Sequence, residues 1–205
     1  MEKKEIITEI KNIKEYAKEN NVPIMQDEGI DFVMSFVNKK QIKNILEVGT
    51  AIGYSAIMMA LCAKDIHVTT IERDEERYLE AVKNIKKFNL EDRITLIFND
   101  ALNVDFDPNT KFDLIFIDAA KGKNQAFFEQ FENNLALNGY IVTDNMKFHG
   151  LVDKTDEELL EETSNVRGLV RKIRDYTYFL ENHMLYKTTI FGQVGDGIAV
   201  TERRG

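Results

Sequence analysis

The sequence predicts an α/β protein built on a mostly parallel sheet with helices on both faces. Three observations predict it. After Lys43, short apolar runs alternate with longer stretches of helical periodicity, which is the signature of strand–helix–strand units. One of those runs, 112–117, is nearly continuous in apolar residues, as expected for a strand covered on both sides. The chain closes with two strand-like runs joined by a short glycine-containing connection, which suits an antiparallel hairpin at the sheet edge and brings the strand total to seven.

The elements follow in order. Ile6, Ile10, Ile13 and Ala17 recur every three or four positions and predict a helix over 3–18; Ile30, Val33, Met34 and Val37 predict a second. Val22-Pro23-Ile24-Met25 between them is extended or turned, because proline disfavours helix at the preceding residue. Strands are expected at 45–48, 67–71, 94–97, 112–117 and 139–143, with helices at 54–63, 75–88 and 124–134. A long helix over 157–180 then precedes the two final strands, 184–191 and 197–201.

With 205 residues, 43% hydrophobic and 30% charged, the chain has the balance of a soluble globular domain. A single domain, 1–205, is expected: N-terminal helices over 1–40, an alternating strand–helix core over 44–145, and a lid, long helix and hairpin over 146–205. No apolar run approaches the roughly 18 residues of a membrane span, and the charged start Met1-Glu2-Lys3-Lys4-Glu5 is unlike a secretory signal, so a cytoplasmic location is expected. A net charge of -8 argues against non-specific nucleic-acid binding. Cys62, the single cysteine, lies among apolar helical residues and is expected to be a buried thiol. The apolar faces of the first two helices either pair in a homodimer or cover the sheet.

In open parallel sheets, ligands sit at the carboxyl ends of the strands. The first strand ends in Glu47-Val48-Gly49-Thr50-Ala51-Ile52-Gly53-Tyr54-Ser55, where two glycines allow a tight turn into a helix beside a ligand. Glu72, ending the second strand, is placed to accept from the ribose hydroxyls of an adenosine-containing cofactor. The turn has no G-x-G-x-x-G signature and no basic residue for a pyrophosphate, which favours S-adenosylmethionine over NAD. Asp100, after the third strand, is placed to accept from an adenine amino group.

The fourth and fifth strands end in Asp118-Ala119-Ala120-Lys121 and Asp144-Asn145. Adjacent strands lie about 5 Å apart, so Asp118, Asp144 and Asn145 are expected to converge on one hard cation, Mg²⁺ or else Mn²⁺ or Ca²⁺. Lys121 is either a solvated lysine or a base. His149 either touches substrate or, as is commoner for a lone loop histidine, is structural, and Phe148 with the stretch to Asn165 is expected to form a lid.

These blocks, with Phe148-His149-Gly150 and the late Gly195-Asp196-Gly197, resemble the cation-dependent O-methyltransferases related to caffeoyl-CoA and catechol O-methyltransferases. Compact length, Pro23-Ile24-Met25 and Asp118-Ala119-Ala120-Lys121-Gly122 look most like the bacterial tRNA 5-hydroxyuridine methyltransferase branch. The resemblance implies a Rossmann-like class I methyltransferase fold, metal ligation by Asp118, Asp144 and Asn145, and catalysis by Lys121 and Asp118. It also implies cofactor contacts from Met25, Glu47, Gly49, Tyr54, Ser55, Glu72, Asp100, Ala101 and Asp118. Asn124 departs from the pattern, since relatives often carry tyrosine there. The implied acceptor is the 5-hydroxyl of a uridine in a tRNA anticodon; Arg167, Arg171, Lys172 and Arg174 on the late helix either meet its phosphates or form a solvated helix face. A small catechol or hydroxycinnamoyl thioester is the alternative acceptor, and a NAD-binding oxidoreductase or non-catalytic nucleotide-binding domain the alternative class.

Overall fold

A computed structural model describes residues 2–119 and 121–204, apart from the side chain of Lys121. Two helices, α1 (Lys3–Glu19) and α2 (Asp27–Lys40), come first, followed by β1 (Asn44–Val48), α3 (Tyr54–Leu61), β2 (His67–Glu72), α4 (Glu75–Lys87) and β3 (Ile94–Phe98). Then come β4 (Phe112–Ile117), α5 (Asn124–Phe131), β5 (Leu135–Thr143), α6 (Ser164–Glu181), β6 (Tyr186–Phe191) and β7 (Ile198–Arg203). The seven strands form one sheet in the order β3-β2-β1-β4-β5-β7-β6. The first five are parallel; β7 runs antiparallel to both β5 and β6, so the terminal hairpin inserts its second strand beside β5 and leaves β6 at the edge.

Alternation within the strands divides the core between two faces. Ile45, Leu114 and Phe116 pack with α1 to α4, whereas Leu46, Ile115 and Ile117 pack with α5 and α6. Each fully buried side chain of this size contributes about 1.5–3 kcal/mol. Ile13, Ala17, Ile30, Val33 and Val37 are all buried in the first cluster, so the apolar faces of α1 and α2 cover the sheet and are not free to pair in a dimer. No helix among the described residues is long and apolar enough to cross a membrane.

Three boundaries and the burial of one residue depart from expectation. The stretch 157–180 is not one helix: a 3₁₀ turn over Glu158–Glu161 stops at Glu162, and Thr163 starts α6 as its N-cap by accepting from the Val166 N–H at 3.3 Å. β5 begins at Leu135, before Gly139, and a register shift between Phe112 and Leu114 absorbs the irregularity. β6 begins at Tyr186, leaving Met184 and Leu185 exposed. Cys62 is half-buried, and burial pushes its thiol pKa up.

Candidate active site

A cavity of about 450 Å³ opens at the carboxyl ends of β1, β2, β4 and β5. Met25, Gly49, Tyr54, Ser55, Glu72, Asp100, Ala101, Asp118, Asp144 and Asn145 all line it, as does the turn Pro23-Ile24 between α1 and α2. The β1–α3 turn forms its floor. The Gly49 and Thr50 N–H groups both donate to the Ile71 carbonyl at 3.1 and 3.2 Å, which ties the turn to β2. Gly49 sits at φ 103°, and a Cβ there would lie 2.2 Å from the Asp118 carbonyl oxygen, so the close approach of turn and β4 needs a glycine.

Glu72 is 7% exposed, and its carboxylate is held by backbone donors. Ala51 N–H reaches one oxygen at 2.8 Å, and Arg73 and Asp74 N–H reach the other, each at 2.8 Å. The side chain therefore ties the glycine turn to the end of β2 as well as facing the cavity. Asp100 receives the Leu102 N–H at 3.1 Å, and its other oxygen faces Arg73 at 3.3 Å and Lys123 at 3.5 Å. The Leu102 N–H, helped by Lys123 and Arg73, holds its carboxyl below the usual range. Arg73 and Lys123 were not singled out in the sequence, where two charged loop residues have no distinguishing pattern.

Tyr54 is 2% exposed, yet its hydroxyl makes no hydrogen bond among the described residues. Burial raises its pKa; the nearby Lys14 ammonium opposes this without meeting hydrogen-bond geometry. Tyr54 lines the cavity, and the Lys14 ammonium is the charge set against its buried hydroxyl.

Glu47 departs from expectation. It is fully buried, is not among the cavity walls, and accepts from the Ser55 and Thr70 hydroxyls at 2.5 Å each. A strand side chain at this position points into the sheet face beneath the turn, so Glu47 acts on the cavity through Ser55. Burial pushes its carboxyl up to about 7, against the pull of the two hydroxyls and with the charge of Glu72 adding to the rise. Because the folded pKa lies above the ordinary 4.5, the native state binds the extra proton. Stability from this group is complete below pH 4.5 and is lost as pH rises through 7. Ionisation near 7 instead of 4.5, at 1.36 kcal/mol per pH unit, amounts to about 3 kcal/mol. Urea unfolding at pH 5 to 8 is expected to show this decline in the native chain and a flatter profile in Glu47→Gln; identical profiles would refute the assignment.

At the opposite side of the cavity, Ile117 pairs with Thr143, so Asp118 and Asp144 are the next residues on adjacent parallel strands. Their backbones continue the ladder: Asp118 N–H donates to Val48 O at 3.0 Å and Asp144 N–H to Ile117 O at 3.1 Å. The Asn145 amide nitrogen donates to Asp118 Oδ1 at 3.0 Å and Asp144 Oδ2 at 3.2 Å, so all three expected groups converge. Asn145 adopts φ 65°, a left-handed conformation asparagine tolerates well. The donors of its amide lie where two carboxylates concentrate negative charge, and a half-turn of the amide would present its oxygen instead. Two carboxylates and an amide oxygen form an all-oxygen set suited to a hard divalent cation.

The segment after Asn145 is clamped by the late turn. Met146 N–H donates to Gly197 O at 2.9 Å and Lys147 N–H to Asp196 O at 2.8 Å; the buried Asp196 carboxylate receives the His149 N–H at 2.5 Å. This gives Gly195-Asp196-Gly197 a structural role, since a Cβ on Gly197 would lie 2.7 Å from Lys147 Cγ. His149 lines the cavity with its side chain 66% exposed, while its Nδ1 lies 3.7 Å from Asp196 Oδ2, so ring and backbone N–H both face the late turn. Asn124, which stands where the resembled family often has tyrosine, is 3% exposed within α5 and does not line the cavity. The expected base, Lys121, has its side chain outside the described residues.

Two of the four cations expected to meet phosphates are used internally. Arg167 donates to the Glu162 carbonyl, and Arg174 donates to Val152 O, Lys154 O and Asp156. Arg171 and Lys172 remain exposed on α6.

The O-methyltransferase family profile matches residues 1–204. A caffeoyl-CoA O-methyltransferase of Populus kitakamiensis is 30% identical over 197 residues, covering 93% of this chain and 82% of that protein. A catechol O-methyltransferase of Niastella koreensis is 33% identical over 172 residues, covering 78% of this chain and 73% of that one. Among solved structures, a Staphylococcus aureus protein provisionally assigned as a caffeoyl-CoA O-methyltransferase superposes with TM-score 0.87 at 36% identity, covering 95% of this chain and 92% of that one. A Bacillus cereus O-methyltransferase solved with S-adenosylhomocysteine gives TM-score 0.78 at 26% identity, covering 96% and 91%. With a strand-end cavity where it was expected and a profile spanning nearly every residue, the chain belongs to the O-methyltransferase family.

Proposed function

We propose that this chain transfers a methyl group from S-adenosylmethionine to a hydroxyl of an acceptor that carries two adjacent oxygens, with Mg²⁺ or a similar cation held by Asp118, Asp144 and Asn145. The observation that carries this reading is the convergence of those three side chains in the cavity that Glu72, Asp100 and Tyr54 also line. The cofactor's adenosine suits the Glu72 and Asp100 side, and its amino-acid end suits the side lined by Gly49, Tyr54 and Ser55. A divalent cation, when bound, lowers the pKa of the acceptor hydroxyl and stabilises the developing oxyanion. Walls that held the acceptor oxygen and methyl carbon about 3–3.5 Å apart would remove much of the entropic barrier of a bimolecular step. Lys121 is the proposed proton acceptor, on the strength of the family resemblance. A base role requires a lowered pKa, which a divalent cation bound nearby would supply.

The favoured acceptor is 5-hydroxyuridine in a tRNA anticodon, giving 5-methoxyuridine. Its support is the resemblance of the Pro23-Ile24-Met25 and Asp118–Gly122 blocks, of which Pro23 to Met25 lie on the cavity wall. The second reading, a small catechol or caffeoyl-CoA type of acceptor, is favoured by the internal use of Arg167 and Arg174 and by the named relatives. Methyl-labelled cofactor is to be incubated with undermodified tRNA and, separately, with catechol, with Mg²⁺ and with chelator. Label in tRNA supports the first reading and label in catechol the second. Transfer undiminished by chelator, or no transfer to either, overturns the proposal.

A further inference from the structure

Arg174 lies on α6, away from the cavity walls, and its guanidinium faces the segment that leaves the cavity lip after His149. Nε donates to Val152 O at 3.1 Å, Nη1 to Asp156 Oδ1 at 2.7 Å, and Nη2 to Lys154 O. One planar group thus holds three points of the strip 152–156, whose only regular structure is a short 3₁₀ turn over Leu151–Asp153. Lys147, beside the clamped Asn145–His149 segment, adds a 2.6 Å bridge to Asp153. The same helix reaches the other lip: Lys172 and Leu169 are the side chains packed closest over Gly122, next to Lys123 on the cavity wall.

α6 therefore touches both strips that flank the carboxylate end, one following Asp118 and one following Asn145. We infer that Arg174 is a positioning residue for the acceptor, pinning the 152–156 strip so that the lip beside His149 keeps the height that admits and orients the acceptor. This rests on the reading of that end as the acceptor side. Lysine cannot replace the arrangement, because a single ammonium lacks the planar fork that serves three acceptors at once.

The test uses the full chain as Arg174→Met, Arg174→Lys and Asp156→Asn. Thermolysin cleavage within 150–162, followed by mass analysis, is expected to be about tenfold faster in Arg174→Met and intermediate in the other two, the scale of one lost charge-assisted hydrogen bond. KM for the acceptor is expected to rise about tenfold in Arg174→Met, with kcat and S-adenosylhomocysteine affinity within about twofold of the native chain. Native cleavage rates overturn the inference. So does faster cleavage with an unchanged KM, or a joint fall in kcat, cofactor affinity and melting temperature, which marks a general scaffold role. Cleavage needs no acceptor, so it decides the clamp even if methyl transfer itself is not found.

Discussion

Asp144→Ala is expected to lower methyl transfer by about 10³-fold while leaving S-adenosylhomocysteine affinity within about twofold, at roughly 4 kcal/mol of lost charge stabilisation and 1.36 kcal/mol per tenfold. The separation follows from where the residues sit. Asp144 is 7% exposed at the tip of β5, and its carboxylate meets Asn145 Nδ2 at 3.2 Å. The groups placed to meet adenosine, Glu72 and Asp100, come from the ends of β2 and β3, on the other side of β1 and β4 in the strand order. Loss of one of three oxygen donors weakens the cation set without moving those walls. Asp144→Asn keeps the shape and removes the charge, so its activity is expected to fall between the two. Mn²⁺ binding followed by electron paramagnetic resonance reads the same change without turnover: the native chain binds and Asp144→Ala does not. An Asp144→Ala protein that methylates at the native rate in the presence of chelator rules out a cation held by these three residues.

What could be read in advance depended on which physical signal the chain carried. β4 was legible because strands buried on both faces must be apolar nearly throughout, and Asp118 stood out as the first charged residue after that run. Asp144 and Asn145 were legible for the same reason at the end of β5. Once the order of strands was assumed, their convergence followed from register. The break before α6 is marked in the sequence by the polar stretch Glu161-Glu162-Thr163-Ser164-Asn165, whose Thr163 is the cap. But apolar Leu159 and Val166, on either side of it, lie seven residues apart and so fit one continuous helix as well. Direction was the other missing quantity. Glu47 and Arg174 are both functional candidates in the sequence, but the sequence does not say that one points beneath the turn to Ser55 and Thr70 and the other off α6 to Val152. Charged side chains on regular elements take their role from the neighbour they face, and that neighbour comes from distant chain segments.

Gly49→Ala is the change expected to damage the fold and the site together. At φ 103° an alanine is strained, and its Cβ would lie 2.2 Å from the Asp118 carbonyl oxygen, 2.8 Å from its carbonyl carbon and 3.0 Å from Ala119 Cα. All three are backbone atoms, so no side chain can rotate away. Left-handed strain of about 1–2 kcal/mol plus about 1–3 kcal/mol for overpacking gives roughly 4 kcal/mol. At about 2–4 °C per kcal/mol for a domain of this size, that is a fall of about 10 °C in Tm. Relief requires β1 and β4 to separate at their tips, where Asp118 N–H is bonded to Val48 O at 3.0 Å. That movement carries Asp118 away from Asn145 and opens the floor beneath the cofactor, so S-adenosylhomocysteine affinity is expected to fall as well. Gly150→Ala supplies the control: φ there is 79°, but a Cβ meets nothing within 4 Å. It should show the strain alone, about 1 kcal/mol, without loss of cofactor affinity. Thermal unfolding and calorimetric titration of both variants separate the two effects. If Gly49→Ala melts and binds like Gly150→Ala, the close passage of the turn over β4 is not what fixes this site.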